Sequence, residues 1–346
     1  MSKIIVGISG GVDSSVAAYL LKKAGHEVIG CRMRTFDTKA SEKEEEESRK
    51  VCEALSIPLH IYDFREEFKK EVIELFAKEY SEGRTPNPCC ICNRTVKWQA
   101  LERCRNDFSA DAVATGHYAR TEYLNGRWSV GRAGSGKDQS YALYNLSQEE
   151  IRDTLFPLAS YEKEEIRAIA KEAGLLTAEK PDSMEICFIP ENDYAGFLKE
   201  NFGIEDRPGN YVDEKGTVLG RHEGIVHYTV GQRKGLGIAL GKRIFVKEIR
   251  PLTNEVVLAD DADVFTGSIL IKDVNFQAAG PDQEIVSACL IKVRYADKGT
   301  PGTVTRESEN RYRINFATPV RAAAPGQAAV LYDEAGRILL GGTIVL

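Results

Sequence analysis

The sequence predicts an α/β protein: a parallel sheet covered by helices in the N-terminal half, then two small β-rich modules, the last a β-barrel. Three observations carry that expectation. Short apolar runs alternate with helix-period stretches through the first half, as strands of a parallel sheet alternate with their connecting helices. From about Gly203 the texture changes to glycine, proline and β-branched residues in short alternating runs. At the start, the apolar Ile4, Ile5, Val6 and Ile8 meet the helix-like Val16, Ala17, Leu20 and Leu21 through Ser9-Gly10-Gly11-Val12-Asp13-Ser14-Ser15.

Strands are expected over 3–9, 27–33, 59–63 and 112–115, and helices over 14–24, 44–55, 64–82 and 95–106. A further helix over 163–173 places Ile166, Ile169, Ala170 and Ala173 on one stripe and stops at Gly174, a C-cap signal. The acidic run Glu42 to Glu47 reads as the solvated first turns of a helix, where negative charge suits the dipole. The β runs fall at 244–249, 255–258, 287–293, 311–316 and 328–331, punctuated by Pro251-Leu252-Thr253-Asn254 and Ala324-Pro325-Gly326. The chain thus divides into 1–202, 203–263 and 264–346, with no internal repeat and no low-complexity linker.

The 346 residues, 42% hydrophobic and 28% charged, are ordinary globular material. No apolar run approaches a membrane span, and Met1-Ser2-Lys3 leads directly into a strand pattern, so a cytoplasmic protein without membrane partners is expected. The eight cysteines then read as thiols, metal ligands or catalysts rather than disulfides. A net charge of −6 argues against general nucleic-acid affinity but allows a local basic face. Arg233, Lys234, Lys242, Arg243, Lys247 and Arg250 form such a stretch, opposed along the chain only by Glu248 and interleaved with Gly231, Gly235, Gly237 and Gly241. Phosphate contacts of this kind give affinity without reading sequence, although a solvated charged surface has the same composition.

Between a strand and a helix, glycines permit positive φ and close approach to an anion, and the first N–H groups of the helix face the same point. The run at Ser9–Ser15 lacks the lysine of a Walker A loop and is not the Gly-x-Gly-x-x-Gly fingerprint. Ser-Gly-Gly-x-Asp-Ser resembles the PP-loop of ATP pyrophosphatases, which cut ATP between its α- and β-phosphates and pass AMP to a carbonyl oxygen. That resemblance makes the first module a PP-loop ATP pyrophosphatase domain with ATP and Mg²⁺ as cofactors, Asp13 helping to hold the metal.

Thr85-Pro86-Asn87-Pro88-Cys89-Cys90-Ile91-Cys92-Asn93 is expected to be rigid and non-helical, because each proline fixes its own φ and keeps the residue before it extended. With a helix from Thr95, Cys92 falls near a helix N-terminus, where the dipole favours thiolate. Cys187 lies in Asp182-Ser183-Met184-Glu185-Ile186-Cys187-Phe188-Ile189, before a turn at Pro190. Cys31, Cys52, Cys104 and Cys289 sit in apolar-patterned segments and read as small core hydrophobes.

Taken together, these motifs resemble the tRNA-specific 2-thiouridylases over nearly the full length. The resemblance rests on Ser9–Ser15, Thr85-Pro86-Asn87-Pro88 with Cys92-Asn93, Ala114-Thr115-Gly116-His117-Tyr118, Lys137-Asp138-Gln139-Ser140-Tyr141, Ser183–Ile189, Thr229–Gly237 and Pro325-Gly326-Gln327. It implies replacement of the C2 oxygen of a wobble uridine by sulfur: adenylation of O2, then sulfur attack at C2 with loss of AMP. It implies Cys187 as persulfide carrier, and Cys92 as the partner that releases sulfide or resolves a disulfide. It implies Gly7, Ile8, Ser9, Gly10, Gly11, Val12, Asp13 and Ser14 around the phosphates, with Met33 and Gly116 lining the adenine and ribose pocket. Lys137, Asp138 and Gln139 would touch tRNA near the flipped base, with Arg294, Tyr295 and Gln327 reaching it from the C-terminal module. Asn87, Pro88, Cys89, His117, Arg233 and Lys234 complete the expected contacts with the anticodon stem-loop. His117 follows a strand end, the usual place for ligand contacts, while a buried, satisfied histidine is the other reading. Tyr118, Tyr141 and Tyr144 are candidate stacking partners or core aromatics. The partners implied are tRNA and a persulfide or sulfide donor, such as a cysteine desulfurase or relay protein.

The chain departs from the family at Cys89, where many members carry aspartate. Cys89, Cys92 and Cys187 are three soft ligands able to hold a [4Fe-4S] cluster with one iron left for hydrosulfide. A zinc site would need a fourth ligand. Alternatively, Cys89 is a small tolerated replacement, and both readings stand at this point. Another PP-loop adenylating ligase leaves the cysteine motifs and the basic glycine loop unexplained; a non-catalytic ATP- or cluster-binding RNA module is the third reading, separated from the others by pyrophosphate release that depends on tRNA.

Overall fold

The computed structural model describes residues 1–181, 186–189 and 193–345; residues 182–185 of the Cys187 motif and the turn expected at Pro190 lie outside the described residues. Strands β1 (Lys3–Gly7), β2 (Glu27–Arg34), β3 (Leu59–Asp63), β4 (Ala112–Ala114) and β7 (Thr154–Leu155) form a parallel sheet in the order β3-β2-β1-β4-β7. Between them runs a hairpin, β5 (Ala119–Leu124) and β6 (Arg127–Arg132). Ile4, Ile5 and Val6 are all buried, as they must be in a sheet covered on both faces. One face packs on α1 (Val12–Lys23) through Val16, Ala17 and Leu21, and on α2 (Lys39–Ala54) through Val51 and Leu55. The other face takes Leu101 and Cys104 against Ile5, Ile29 and Val113. Because β2 and β4 flank β1 on opposite sides, the chain reverses direction across the sheet at the carboxyl end of β1, the ligand-binding position in open α/β sheets.

The two long helices that follow are α3 over 65–81 and α4 over 88–107. Each contains a π-helical stretch, Lys69–Glu74 and Asn93–Lys97 respectively. The expectation of a non-helical segment through Asn93 fails: α4 starts at Pro88. Proline is tolerated at the first helical position, and Asn87 caps the end by accepting from the Cys89 and Cys90 N–H groups at 3.1 and 3.4 Å. The hairpin was legible in Asn125-Gly126, whose φ values of 54° and 79° fit its tight turn. Later come α5 (Lys163–Glu172) and α6 (Tyr194–Phe202).

The acidic run is anchored rather than merely solvated. Glu44 lies 3.4 Å from Arg32, Glu45 pairs with Arg34 at 2.7 Å and Arg49 at 3.0 Å, and Glu47 pairs with Lys180. Cys31, Cys52 and Cys104 are buried as expected, but Cys289 is exposed on a barrel strand whose alternate residues face outward.

The β-rich half holds two separate sheets. Strands β8 (Gly209–Val212), β9 (Val218–His222), β10 (Phe245–Arg250) and β11 (Glu255–Ala259) form one sheet, ordered β10-β11-β8-β9. Strands β12 (Phe265–Phe276), β13 (Ile285–Lys292), β14 (Thr300–Ser308), β15 (Arg311–Arg321), β16 (Ala328–Tyr332) and β17 (Ile338–Val345) close into a barrel around Ile271, Ile291, Ile314 and Leu331. Among the described residues no helix is long and apolar enough to cross a membrane.

Gln277 fastens the barrel to the first module. It is fully buried, accepts from the Val130 N–H at 2.9 Å, and donates to the Leu143 and Tyr144 carbonyls at 3.0 and 2.9 Å. Gln277→Ala strands these buried groups and is expected to cost roughly 3 kcal/mol. Urea unfolding followed by tryptophan fluorescence checks this through a lowered midpoint.

Candidate active site

The Gly-rich turn sits at the reversal point of the sheet. The N-terminus of α1 has no side-chain cap at Gly11, unlike α2, which is closed by Thr38, and α4, closed by Asn87. Its first N–H groups lack intrahelical partners and are left for an anion. Ser9 and Ser14 hydroxyls lie 3.1 Å apart, and Ser14 Oγ also accepts from the Ser9 N–H at 3.2 Å, which fixes the loop. Gly10 has φ +75° and lies against the Glu44 carbonyl of α2, where a Cβ would come within 2.8 Å. Lys180 donates to the Gly10 carbonyl at 3.1 Å. Gly116, after β4, approaches the loop so closely that a Cβ would stand 2.6 Å from the Ser14 nitrogen and 2.7 Å from the Asp13 carbonyl carbon.

Asp13 is held firmly. Lys163 donates to both its oxygens at 2.8 Å, and Tyr118 donates to Oδ1 at 2.6 Å. Lys163 and Tyr118 are buried, while about a third of the Asp13 side chain is open, 32% by exposure. Lys163, the first residue of α5, carries no motif that marks it beforehand as the partner of Asp13. Met33, at the end of β2, is half-buried against the aromatic cluster of α3.

That cluster positions the second cysteine. Phe188 makes edge contacts with Phe68 and Phe76, centroids 5.7 and 5.5 Å apart, and so fixes the segment carrying Cys187. Cys89 and Cys187 keep surface open to solvent and Cys92 is half-buried, and the three thiols sense one another electrostatically. The expected dipole activation of Cys92 does not occur, because Cys92 lies a full turn inside α4. Burial pushes its pKa up to about 11 and that of Cys187 up to about 12, and it raises Cys89 as well. Among the described residues one charge works against burial at all three thiols, the ammonium of Lys97. Among the described residues no three His, Cys, Asp or Glu side chains stand close enough to hold a metal ion, so the three thiols, whose shared neighbourhood is termed the thiol chamber, do not form an assembled ligand set.

Lys97 was missed in the sequence, where it is one of 46 lysines and arginines. Its Nζ donates to Asn93 Oδ1 at 2.7 Å and to His117 Nε2 at 3.3 Å. Since Nε2 accepts, the imidazole proton resides on Nδ1, facing Thr115 Oγ1 at 2.8 Å. Burial, then the Lys97 charge, holds His117 well below the usual histidine range. His117 also stacks on Trp98, centroids 5.8 Å apart, so its half-buried ring has partners at both nitrogens and on one face.

Other expected contacts divide into framework and surface. Gln327 donates to the Thr85 carbonyl at 2.9 Å, and the Thr85 N–H donates to the Pro325 carbonyl at 2.8 Å, clamping the chain just before α4. Asp138 accepts from the Ala133 and Ser140 N–H groups at 3.2 and 3.1 Å, and Gln139 Oε1 from the Tyr118 N–H at 3.0 Å. Tyr295 donates to the Asp138 carbonyl at 3.1 Å yet remains 46% exposed, and burial, then the Asp138 charge, raises its pKa. Arg294 donates to the Arg321 carbonyl at 3.0 Å, and Lys137 is exposed beside Asp138. Tyr118, Tyr141 and Tyr144 are buried core aromatics rather than stacking surfaces. The basic stretch has more opposition than its sequence suggested: Lys242 pairs with Asp260 at 2.7 Å, Lys247 with Glu214, and Arg250 with Glu248 and Glu255. Arg233, Lys234 and Arg243 are exposed without an ion pair among the described residues, and Arg233 and Arg243 border a groove of about 470 Å³ with Gly235 and Gly237.

Three family models match in succession: the tRNA methyl transferase HUP domain over 2–191, the tRNA methyl transferase PRC-barrel domain over 195–260, and the aminomethyltransferase beta-barrel domain over 266–345. The tRNA-specific 2-thiouridylase MnmA of Lachnoclostridium phytofermentans is 48% identical over 359 aligned positions, covering 100% of both chains. That of Clostridioides difficile is 44% identical, covering 99% of this chain and 98% of its own. A solved U34-tRNA thiolase, NcsA of Methanococcus maripaludis with its [4Fe-4S] cluster, overlaps 54% of this chain and 60% of its own at 19% identity and TM-score 0.37.

Two outcomes follow from this geometry. Gly116→Ala displaces the loop at Asp13 and Ser14, so the Kd for ATP is expected to rise at least tenfold while tRNA affinity holds; calorimetry with each ligand checks it. In iron-free protein, alkylation of Cys92 and Cys187 by iodoacetamide is expected to be slow at pH 7.5 and to climb without a plateau to pH 10, since both thiols stay protonated below their raised pKa values of about 11 and about 12.

Proposed function

The chain belongs to the family of tRNA-specific 2-thiouridylases, and we propose that its residues carry out that sulfur transfer from two adjoining sites, the uncapped N-terminus of α1 and the thiol chamber. The uncapped helix end carries this reading: a loop built for phosphate lies one residue, Gly116, away from the histidine that supports the thiol chamber.

A uracil C2 carbonyl is urea-like, a poor electrophile whose oxygen is a poor leaving group. Attack of O2 on the α-phosphorus of ATP breaks the bond to pyrophosphate and turns O2 into part of an AMP leaving group. The loop Gly7–Ser14 holds the phosphates through its N–H groups and the Ser9 and Ser14 hydroxyls, and Met33 and Gly116 border the nucleoside. Bound Mg²⁺ neutralises charge on the departing pyrophosphate, and Asp13, oriented by Lys163 and Tyr118, is the carboxylate offered to it.

Cys187 carries the sulfur as a persulfide taken from a persulfide-bearing donor such as a cysteine desulfurase or relay protein. The terminal sulfur attacks C2, the C2–O2 bond breaks, and AMP departs. Cys92 then attacks Cys187 Sγ, the sulfur–sulfur bond breaks toward C2, and the products are 2-thiouridine and a Cys92–Cys187 disulfide. A dithiol reductant returns the disulfide to thiols. No step of this route passes through a cluster. Arg233, Lys234 and Lys137 supply phosphate contacts to the anticodon stem-loop, and Tyr295, half-exposed on the barrel, reaches it from the C-terminal module.

The products from ATP are expected to be AMP and pyrophosphate, released only with tRNA present, and Cys187→Ala should keep this release while abolishing thiolation. Detection of ADP and phosphate overturns the adenylation. Iron-free protein supplied with a persulfide donor should thiolate tRNA fully; activity that returns only after anaerobic iron and sulfide reconstitution overturns the persulfide route. Arg233→Ala with Lys234→Ala should weaken tRNA binding and flatten its salt dependence by about two counterions.

A further inference from the structure

The thiol chamber contains a cation that the reaction scheme above leaves without a task. Among the described residues Lys97 has no carboxylate within ion-pair distance; its two hydrogen-bond partners, Asn93 Oδ1 and His117 Nε2, are neutral. Both partners are themselves fixed. Asn93 is buried and donates through Nδ2 to the Ala142 carbonyl at 2.8 Å, and His117 is held by Thr115 and by stacking on Trp98. Two of the three ammonium N–H groups are engaged in this way, leaving one to point at a further acceptor. Lys97 closes the π-helical stretch Asn93–Lys97, an extra residue in the turn that shifts the side chains after it around the helix, a device concentrated at functional sites. A half-buried ammonium fixed by neutral acceptors, with its charge acting on Cys89, Cys92 and Cys187, is suited to an anion, and the anion these thiols would handle is sulfur.

We propose that Lys97 is a catalytic residue of sulfur transfer: its ammonium, pinned by Asn93 and His117, binds the terminal sulfur anion of the Cys187 persulfide and holds it toward C2 of the adenylated uridine. This rests on the persulfide reading given above. In the step concerned, a lone pair of the sulfur anion forms the bond to C2, the C2–O2 bond breaks, and its electron pair leaves on AMP. Lys97 neither gains nor loses a proton; its charge serves the anion before attack and is released as negative charge moves to the departing nucleotide. The raised thiol pKa values agree with a chamber that disfavours anions except where Lys97 meets them.

The test compares wild type, Lys97→Met and Lys97→Arg as full-length, iron-free enzymes with unmodified tRNA, ATP and a cysteine desulfurase with cysteine as sulfur source. A charge-assisted hydrogen bond of this kind corresponds to roughly a tenfold to hundredfold effect. Lys97→Met is expected to thiolate with kcat lowered by about that factor, with unchanged KM for ATP and tRNA and with tRNA-dependent pyrophosphate release within about twofold of wild type. Mass spectrometry should still find the persulfide on Cys187, and Lys97→Arg should recover most of the rate. Thiolation by Lys97→Met at the wild-type rate overturns the proposal. So does loss of pyrophosphate release together with thiolation and no recovery in Lys97→Arg, the pattern of a structural residue. A wild-type enzyme that thiolates without ever carrying sulfur on Cys187 overturns the persulfide reading and this proposal with it, an outcome visible before any variant is made.

Discussion

The close approach of Gly116 to the N-terminus of α1 is the constraint on which the site depends. Backbone packs against backbone there, with no room for a Cβ between β4 and Ser14. The contact sets where the loop ends and where the next two side chains point. His117 turns toward Lys97 and the thiols, while Tyr118 turns back and donates to Asp13. Three consecutive residues thus pack on the glycine-rich loop, hold Lys97 and support Asp13. Adenylation and sulfur delivery must act on one C2 atom, and a rigid shared strand end holds two sites at fixed separation better than two independent loops would.

The thiols show how two local effects compete. A helix dipole acts within its first turn and favours thiolate modestly, whereas removing a thiolate from water costs far more. Cys89 and Cys90 occupy the first turn of α4, yet Cys90 is buried in the interface with the barrel and its pKa also rises. Proximity to a helix start therefore says little about reactivity without burial. Lys97, placed from the following turns of the same helix, is the compensating charge.

Much of this was legible in the chain because it depends on local pattern. The order of strands and helices in the first module follows from hydrophobic period, and the loop at Ser9–Ser15 declares itself by strand, glycines and helix in succession. The start of α4 was misjudged because Pro86 and Pro88 were weighed as helix breakers, whereas Asn87 followed by Pro88 is a capping pair. Lys163 and Lys97 were invisible for a different reason: each acquires its role from a partner far along the chain, Asp13 for one and His117 for the other. The opposition to the basic stretch was hidden likewise, since Glu214 and Asp260 arrive from other strands.

The barrel has a structural part in the chemistry even though none of the thiols belongs to it. Pro325 and Gln327 grip Thr85 at the entry to α4, and Tyr295 holds the Asp138 loop from the other side. Gly326 fits against Thr85 with φ +89° and with a built Cβ only 3.1 Å from the Thr85 backbone, so the grip is close-fitting. Two loops of the first module that border the chamber are thereby pinned by one neighbour. The grip on Thr85 sets the start of α4, and with it the positions from which Cys89, Cys92 and Lys97 project, so a domain that holds none of these groups fixes the helix that carries them.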